Sequence, residues 1–272
     1  MPERPDLEYV VPRLREALVG LTIVDASVKK PVVLRCGIAQ VRGTFVTVSR
    51  RAQAVDFGLG AAHLVVVPML AGRFDLVDAA AKDPADVAVR LVLSDGRVLR
   101  YRDDVQMGKV WWTAPGVAVA GLAEGGVDVL EAAFTRERFR ALAKGRREQL
   151  KVFLMDKTAL DSMGNAYADE VLYAAQQHPK RLVSRLMPAE LDALHDAIVA
   201  VLAHARDTIA ARAPPLHEKI RDFLHVRGRK GQPCDRCATT LRVAGIHGHD
   251  AYFCPRCQPD VDGRGFFDWR GT

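Results

Sequence analysis

The sequence predicts an α+β protein of more than one domain, in which a β-rich N-terminal part carrying one helix precedes a helical part and a small C-terminal metal-binding module. Short runs rich in Val, Leu and Ile occupy residues 21–113, and apolar residues return at helical spacing over residues 130–213. Two C-x-x-C pairs follow within residues 234–257. These three observations, in this order along the chain, give the predicted fold class.

Length and composition limit the possible classes of protein. The chain has 272 residues, of which 49% are apolar and 26% are charged. This apolar content supports packed cores and excludes a disordered chain. No run of about 20 apolar residues is present, so no membrane partner is expected. The N-terminal residues are polar and acidic, unlike a signal peptide, so we expect a cytoplasmic protein.

The first predicted element is a helix over residues 5–18. Pro12 lies inside it and is expected to kink it, because proline removes a backbone donor and clashes with the preceding turn. The apolar side chains recur at the spacing of one helix face. They are Leu7, Val10, Val11, Leu14 and Leu18.

Short apolar runs bounded by turn residues predict strands in the β-rich part. Ser94, Asp95 and Gly96 separate two of these runs and predict a hairpin turn. The runs lie at residues 21–28, 41–50, 62–70, 87–96, 97–102 and 110–113.

The helical part is bounded by prolines and carries most of the clustered positive charge. Pro188 marks a helix start, and the pair at residues 214–215 marks a stop. Basic residues crowd residues 136–151 and 225–230 in a chain of net charge +6. Such clusters suit a polyanionic partner, but solvated helix faces explain them equally well.

Four of the five cysteines form a C-D-R-C pair and a C-P-R-C pair. Two thiolates separated by two residues can face one metal ion, and two such pairs complete a tetrahedral zinc site. Two disulfides are the alternative, which the absence of a signal peptide disfavours. Cys36 stands alone in an apolar segment and is expected to be a buried structural thiol. The predicted zinc ligands are Cys234, Cys237, Cys254 and Cys257.

The chain begins Met1-Pro2-Glu3. Removal of the initiator methionine would leave Pro2 with a free secondary amine, and an N-terminal amine titrates far below a lysine amine, so a usable fraction is neutral and nucleophilic. Such an amine can attack C1′ of a sugar and form an iminium, with Glu3 passing a proton to the opening ring or to the leaving base. Taken alone, these three residues are a weak signal.

Four separated segments carry a much stronger signal. They read MPERPDLE at residues 1–8, GNAYADE at residues 164–170, VRGRKGQPC at residues 226–234 and FCPRCQ at residues 253–258. They resemble the MPE-x-PE-x-E opening, the GN-x-YA-x-E segment and the two sides of the zinc finger in the formamidopyrimidine-DNA glycosylase and endonuclease VIII family. Asp6 stands in place of the usual glutamate. Because the segments also occur in the family's order, the chain is identified as a member.

The resemblance implies an N-terminal β-sandwich with its helix over residues 1–125, a helix–two-turn–helix domain over residues 126–225, and a zinc finger with a tail over residues 226–272. It implies one structural zinc ion and a monomeric DNA repair glycosylase. Such an enzyme flips a damaged base out of double-stranded DNA, because the glycosidic carbon cannot be reached inside the stack. Association with the nucleoid would follow from that partner.

The resemblance also assigns catalytic residues. Pro2 would be the nucleophile and Glu3 the proton shuttle, with Asp6 beside them. The family's R-R-G-K stretch, whose lysine assists strand cleavage, corresponds to residues 50–53 and ends in Gln53. Glutamine cannot carry a positive charge, so we expect weakened or altered AP-lyase activity.

Four residues are expected to bind DNA. Asn165 would bind phosphates together with helix-start N–H groups, and it could also, or only, cap its helix. Lys151 would contact a phosphate, or else be a solvated surface lysine. Met69 would fill the space left by the flipped nucleotide, or else be a core methionine in a strand. His249 stands where the family has a phosphate-clamping arginine, and it keeps a hydrogen bond without the charged fork.

The lesion cannot be read from the sequence. The arginine that would read the opposite base is absent, since Val105 and Met107 occupy the matching loop, and residues 214–225 leave little room for a lid over an oxidised purine. A non-cutting protein that binds damaged or abasic DNA is the alternative, although it has no need of an N-terminal amine. A zinc-ribbon protein of RNA metabolism would explain the cysteines but not the first eight residues.

Overall fold

The computed structural model describes residues 2–122, 125–161 and 163–261. The chain forms two compact units, one of Met1–Glu124 with Arg206–Ile220 and one of Gly125–Ala205 with Arg221–Thr272. The tail after residue 261, predicted to follow the zinc finger, lies outside the described residues.

The described residues form the following helices and strands. The helices are α1 (Arg4–Leu18), α2 (Arg136–Ala143), α3 (Leu150–Leu154), α4 (Asn165–Ala174) and α5 (Pro188–Arg212). The strands are β1 (Thr22–Val28), β2 (Gly43–Thr44), β3 (Thr47–Arg51), β4 (Ala54–Gly58), β5 (His63–Val67), β6 (Arg73–Asp78), β7 (Val87–Leu93), β8 (Arg97–Arg102), β9 (Lys109–Thr113), β10 (Val127–Asp128), β11 (Leu160–Asp161), β12 (Arg242–Ile246) and β13 (His249–Phe253).

The first unit contains the predicted β-sandwich. Its two antiparallel sheets have the strand orders β3-β4-β5-β9 and β2-β1-β7-β8-β6. Edge-on aromatic contacts join the two inner faces, because Phe57 of the first sheet lies 5.7 Å from Phe74 of the second, ring centre to ring centre. Phe45 and Tyr101 extend this aromatic row at each end. Rings at such angles and distances stabilise a core beyond simple burial.

Helix α1 packs on the same core and has the predicted apolar face. Leu7, Leu14 and Leu18 are each at most 1% exposed. The helix begins at Arg4 and continues through Pro12.

Two strands of the first unit, β4 and β6, were not predicted from the sequence, because charged residues interrupt their apolar pattern. All five residues of β4 are buried, including Asp56. Strand β6 carries Asp75, whose Oδ2 accepts from Arg100 at 2.5 Å. These buried charges are tolerated because each has a partner, and His63 Nδ1 lies 2.6 Å from Asp56. The predicted hairpin turn between β7 and β8 is present, with Gly96 at a φ of +86°.

The second unit is built from α2, α3, α4 and the part of α5 up to Ala205, around an aromatic and aliphatic core. Phe139, Phe153 and Tyr167 are each 0% exposed. Helix α5 begins at Pro188 and ends just before the proline pair, as predicted. None of the helices in the described part of the chain combines the length and apolar character needed to cross a membrane.

Two arginines of the basic cluster, both on α2, are already paired within this unit. Arg136 binds Asp196 and Arg140 binds Asp192, both on α5. Exposed pairs of this kind contribute little to stability. They do show that these two arginines belong to a solvated helix face, which was one of the two interpretations of the cluster.

Candidate active site and metal centre

The N-terminus of α1 fixes the predicted catalytic residues in place. Glu3 is the residue that caps the helix, and its carboxylate accepts from the backbone N–H of Asp6. Asp6 Oδ2 accepts in turn from the backbone N–H of Glu3 at 2.8 Å. This reciprocal arrangement satisfies two helix donors that would otherwise lack partners. Pro2, Glu3 and Asp6 are all buried, so Asp6 holds the Glu3 backbone directly beside Pro2.

Pro2 and Asp6 line a small cavity in the first unit, with room for about one water molecule. Tyr9, Arg73 and Lys219 also line it. Lys219 was not predicted as a site residue, because nothing in the sequence relates it to the N-terminus 217 positions earlier.

The segment that carries Lys219 is held within the first unit. Tyr9 donates to the carbonyl of Pro214 at 2.6 Å, and His217 Nδ1 lies 3.5 Å from Asp75. Lys219 donates to the carbonyl of Leu70 at 3.3 Å. Residues 214–219, the first part of the stretch predicted to be too short for a lid, are therefore tied down next to α1 and β6.

Gln53 lies in the tight turn between β3 and β4, where Arg51 and Ala54 are paired. It is 5% exposed, and its Oε1 accepts no hydrogen bond from the residues the structure describes. An unsatisfied buried acceptor costs about 1–3 kcal/mol. A site that a bound molecule completes would explain such an acceptor.

Met69 lies in the turn after β5 and not within a strand, so the strand interpretation is wrong. Its φ of +42° lies in the left-handed region, which non-glycine residues rarely adopt. The neighbouring Leu70 is 60% exposed. The Met69 side chain is half-buried against a small apolar cluster formed by Ala54, Val65, Val67, Val119 and Leu122.

Asn165 is the first residue of α4, and Gly164 is the cap. No side chain caps this helix, so the capping interpretation of Asn165 is wrong. Its Oδ1 is buried and accepts no hydrogen bond from any described residue. The amide therefore lies at a helix start, beside N–H groups that favour an anion.

Lys151 is buried rather than solvated, since its side chain is 1% exposed. Its Nζ donates to the carbonyl of Asn165 and to Asp169 Oδ1, both at 2.6 Å. The surface-lysine interpretation is therefore wrong. A buried ammonium group requires such partners, because burial without them is strongly unfavourable.

His249 is exposed and begins β13, directly after a tight turn formed by His247 and Gly248. Both turn residues have positive φ, 45° and 81°. Such values suit the short turns that match the twist of a hairpin. Lys151 and His249 line one pocket of about 410 Å³ within the second unit, together with Arg146. Three of the four predicted DNA-binding residues, Lys151, Asn165 and His249, thus lie in one unit. Lys151 donates a hydrogen bond to Asn165 and lines a pocket together with His249.

The predicted zinc ligands converge. The Sγ atoms of the four cysteines all lie within 4.8 Å of one another. Three of these separations are 3.4, 3.5 and 3.9 Å. A tetrahedral centre with zinc–sulfur bonds of about 2.3 Å requires sulfur atoms about 3.8 Å apart. The donor set therefore fits one zinc ion, and all five cysteines of the chain are free of disulfides. Cys36 is only half-buried, although burial raises the pKa of its thiol.

Hydrogen bonds and charge around the thiols also favour a cation. Hydrogen bonds from the side chain and backbone of Thr239 lower the pKa of Cys237 to about 6, so this residue is a ready thiolate. Burial and then the neighbouring thiols raise the pKa of Cys257 to about 12. A divalent cation at the centre would remove that penalty on the second charge. Tyr173 OH lies 3.3 Å from Cys234 Sγ and ties the centre to α4.

Comparisons with known proteins agree with this arrangement. The family described as "Formamidopyrimidine-DNA glycosylase N-terminal domain" matches residues 1–110, the "Formamidopyrimidine-DNA glycosylase H2TH domain" matches residues 126–212, and the "Zinc finger found in FPG and IleRS" matches residues 231–259. The formamidopyrimidine-DNA glycosylase of Pelotomaculum thermopropionicum is 31% identical over 95% of this chain and 99% of its own length. That of Photobacterium profundum is 31% identical over 95% and 100%.

A solved structure has the same fold. The complex of the Lactococcus lactis formamidopyrimidine-DNA glycosylase with DNA containing an abasic site aligns with a TM-score of 0.85 at 23% identity, covering 94% of this chain and 99% of that one. A two-sheet unit opening on a buried Pro-Glu pair, combined with a helical unit and a four-cysteine finger, defines a zinc-containing DNA repair glycosylase. The chain belongs to the formamidopyrimidine-DNA glycosylase family. The predicted family, fold class and zinc ion are thereby confirmed.

Proposed function

We propose that this glycosylase acts on double-stranded DNA carrying a damaged base or an abasic site, with the amine of Pro2 as nucleophile. The observation that carries the proposal is the buried Pro2 beside the Glu3–Asp6 capping box. The capping box fixes the backbone of the residue next to the amine and places the Glu3 carboxylate there. The relatives named formamidopyrimidine-DNA glycosylase, which align over nearly the whole chain, support damaged DNA as the substrate class.

The reaction follows from these groups. The neutral Pro2 amine attacks C1′, the bond from C1′ to the base breaks, and the base leaves with a proton. Glu3 supplies a proton to the ring oxygen as the sugar opens, and loss of the amine proton leaves an iminium between Pro2 and C1′. Asp6 keeps Glu3 in position through the Glu3 backbone. Hydrolysis of the iminium breaks the bond between Pro2 and C1′ and releases the enzyme, either directly or after elimination of the 3′ phosphate.

Three residues contact the DNA in this proposal, and Lys151 supports one of them. Met69 fills the space of the flipped nucleotide, and its left-handed backbone conformation is the kind of strain found at functional positions. Asn165 binds phosphate at the start of α4, and His249 binds phosphate at the tip of the zinc hairpin. Lys151 is buried and acts indirectly, by holding the Asn165 carbonyl through its hydrogen bond. Strand cleavage is weakened, because Gln53 is neutral and His249 lacks a permanent charge.

The proposal also assigns the parts of the chain. Residues 1–125 carry the catalytic groups, residues 126–225 bind the duplex, and residues 226–272 contribute the zinc hairpin. The enzyme works as a monomer, since the catalytic and metal-binding residues all come from one chain. A DNA substrate implies association with the nucleoid.

Borohydride trapping tests the nucleophile. Incubation with a duplex containing an abasic site, followed by reduction, should link the protein to the DNA irreversibly, because reduction converts the iminium into a stable amine. The protein should first be shown by mass spectrometry to begin at Pro2. A variant with an additional N-terminal residue retained before Pro2 is the matched control, and it should give no adduct.

A non-cutting binder predicts a different result. It would bind the abasic duplex with normal affinity and give no trapped adduct even when the protein begins at Pro2. Pro2→Gly keeps an amine but makes it primary, so trapping should be weakened rather than lost. Equal trapping by the protein with a blocked N-terminus would move the nucleophile to a lysine.

A further inference from the structure

A chain of buried charges runs through the second unit. Lys151 Nζ lies 2.6 Å from Asp169 Oδ1, and Arg227 Nη1 lies 3.0 Å from Asp169 Oδ2. The Asp169 side chain is 0% exposed, and that of Arg227 is 25% exposed. One carboxylate therefore joins two cations that come from α3 and from the lead-in to the zinc finger.

Each end of this chain of charges reaches an element that the proposed function assigns to DNA. Lys151 also donates to the carbonyl of Asn165 at 2.6 Å. Arg227 Nη1 also donates to the carbonyl of Asp250 at 3.0 Å, one residue after His249. A continuous run of contacts therefore connects the start of α4 to β13 of the zinc hairpin.

Two further contacts fix Arg227. Its guanidinium lies over the ring of Tyr252, 4.7 Å from the ring centre. The carboxylate of Glu170, which is 3% exposed, accepts from the backbone N–H groups of residues 225, 226 and 227 at 2.8 to 2.9 Å. Adjacent acids on α4 thus hold both the backbone and the side chain of Arg227. This explains why two consecutive acids occur inside an otherwise apolar helix.

Stability alone does not account for this arrangement. Burying charges is costly, and apolar residues of similar volume often give equal or greater stability. The chain of charges does fix the positions of its members relative to one another. Lys151, Asp169 and Arg227 come from three different segments, and their hydrogen bonds are directional. Such fixed positions are useful where two elements, here the start of α4 and the zinc hairpin, must contact one rigid DNA duplex.

We propose that Asp169 and Arg227 are positioning residues that hold Asn165 and the zinc hairpin at one fixed separation, so that both engage the phosphates of one duplex. This inference rests on the proposed function. Preorganisation of the two contacts removes the cost of ordering them when DNA binds. Arg227 then acts through Asn165 and His249 and does not itself touch the phosphates.

A double-mutant cycle tests the inference with the zinc-loaded full chain and a duplex carrying a stable abasic-site analogue. Arg227→Met alone should weaken binding by about 10-fold, as should Asn165→Ala alone. If Arg227 acts through Asn165, adding Arg227→Met to Asn165→Ala should cost less than about 3-fold more, because contacting residues are not additive. For Arg227→Met, trapping on a saturating duplex with a true abasic site should be unchanged, since the chemistry lies in the first unit.

Matched controls separate positioning from general damage. Arg140→Met removes an arginine from the exposed pair with Asp192 in the same unit and should leave affinity unchanged. Arg227→Lys keeps a charge near Asp169 but cannot make the same fork, and it should fall between wild type and Arg227→Met. Zinc content and thermal unfolding are measured for every variant. If Arg227→Met loses zinc, the cycle is completed with Arg227→Lys. Its effect is likewise either additive or non-additive with that of Asn165→Ala.

Full additivity of Arg227 and Asn165 would overturn the inference, as would a loss of affinity that merely follows the loss of zinc. Failure of the proposed function looks different. In that case the unsubstituted protein itself would neither bind the abasic-site duplex nor form a trapped adduct.

Discussion

At Gln53 the chain carries a neutral amide, 5% exposed, in a turn of the catalytic unit. We predict that Gln53→Lys speeds strand cleavage by about 10-fold, because a lysine can stabilise the leaving phosphate and relay a proton, and proton transfer of this kind is worth at least that factor. The measurement is the nicking rate of an abasic-site duplex relative to the trapping rate. Gln53→Met is the matched control of similar length.

The ratio of these two rates is informative because iminium formation does not require the residue at position 53. Trapping should therefore change little while nicking rises. If Gln53→Lys left nicking unchanged, the loss of lysine would not be what limits cleavage. In that case the change at His249 would become the better explanation.

Some contacts of single residues can be predicted from the sequence, and others cannot. The pairing of Glu3 with Asp6 is local and could be predicted from a helix start with acids three positions apart. The burial of Lys151 could not, because its partner Asp169 lies 18 positions away on another helix. Basic residues in a cluster look alike in sequence, whether they face solvent or a buried carboxylate.

Among the elements, the zinc hairpin depends most on a single ion. We predict that Cys237→Ser weakens DNA binding far more than it destabilises the first unit, because three thiolates no longer close a tetrahedral site and β12 and β13 lose their shared support. Metal analysis, affinity for an abasic-site duplex and thermal unfolding of the variant give the three readouts. Cys36→Ser is the matched control, since Cys36 lies in the first unit.

A purified chain holding much less than one zinc ion while binding DNA normally would contradict this prediction. So would equal loss of stability in both units. Removal of zinc from the unsubstituted protein by a chelator should reproduce the binding defect of Cys237→Ser.

Element prediction succeeded where the apolar pattern was uninterrupted. Helix α1 and the hairpin of β7 and β8 follow from periodicity and turn residues. Strands β4 and β6 were missed because their charges are paired across neighbouring strands or with nearby loops, as Asp75 is with Arg100. Pairing of that kind depends on sheet order, which a single sequence does not provide.

For the whole molecule, charge determines how DNA binding responds to salt. We predict that affinity for undamaged duplex falls steeply between about 50 and 200 mM salt, because each phosphate contact releases a counterion. The slope should reflect fewer contacts than the basic cluster suggests, because Arg136 and Arg140 are already paired with aspartates. Binding isotherms across that salt range give the number of contacts.

An affinity that does not change with salt would remove phosphate binding from the proposal. The Arg140→Met variant sharpens the measurement, since a slope identical to that of the unsubstituted protein would confirm that this arginine makes no phosphate contact.

The sequence predicts the order of the domains along the chain but not that a later segment belongs to the first unit. Residues 206–220 belong to the first unit although they follow the helical part in sequence. Contacts such as Tyr9 with Pro214 span 205 positions. No local pattern indicates such a return, so the neighbours of Pro2 could be found only from the structure.

The tight turn at His247 and Gly248 makes the zinc hairpin sensitive to changes in length. Ile246 pairs directly with His249, and side chains alternate between the two faces of a strand. One inserted or deleted residue in this turn would shift the pairing and move His249 to the opposite face, even with all four zinc ligands intact. The position of His249 therefore depends on the number of residues between the two strands more than on the identity of the residue at the tip.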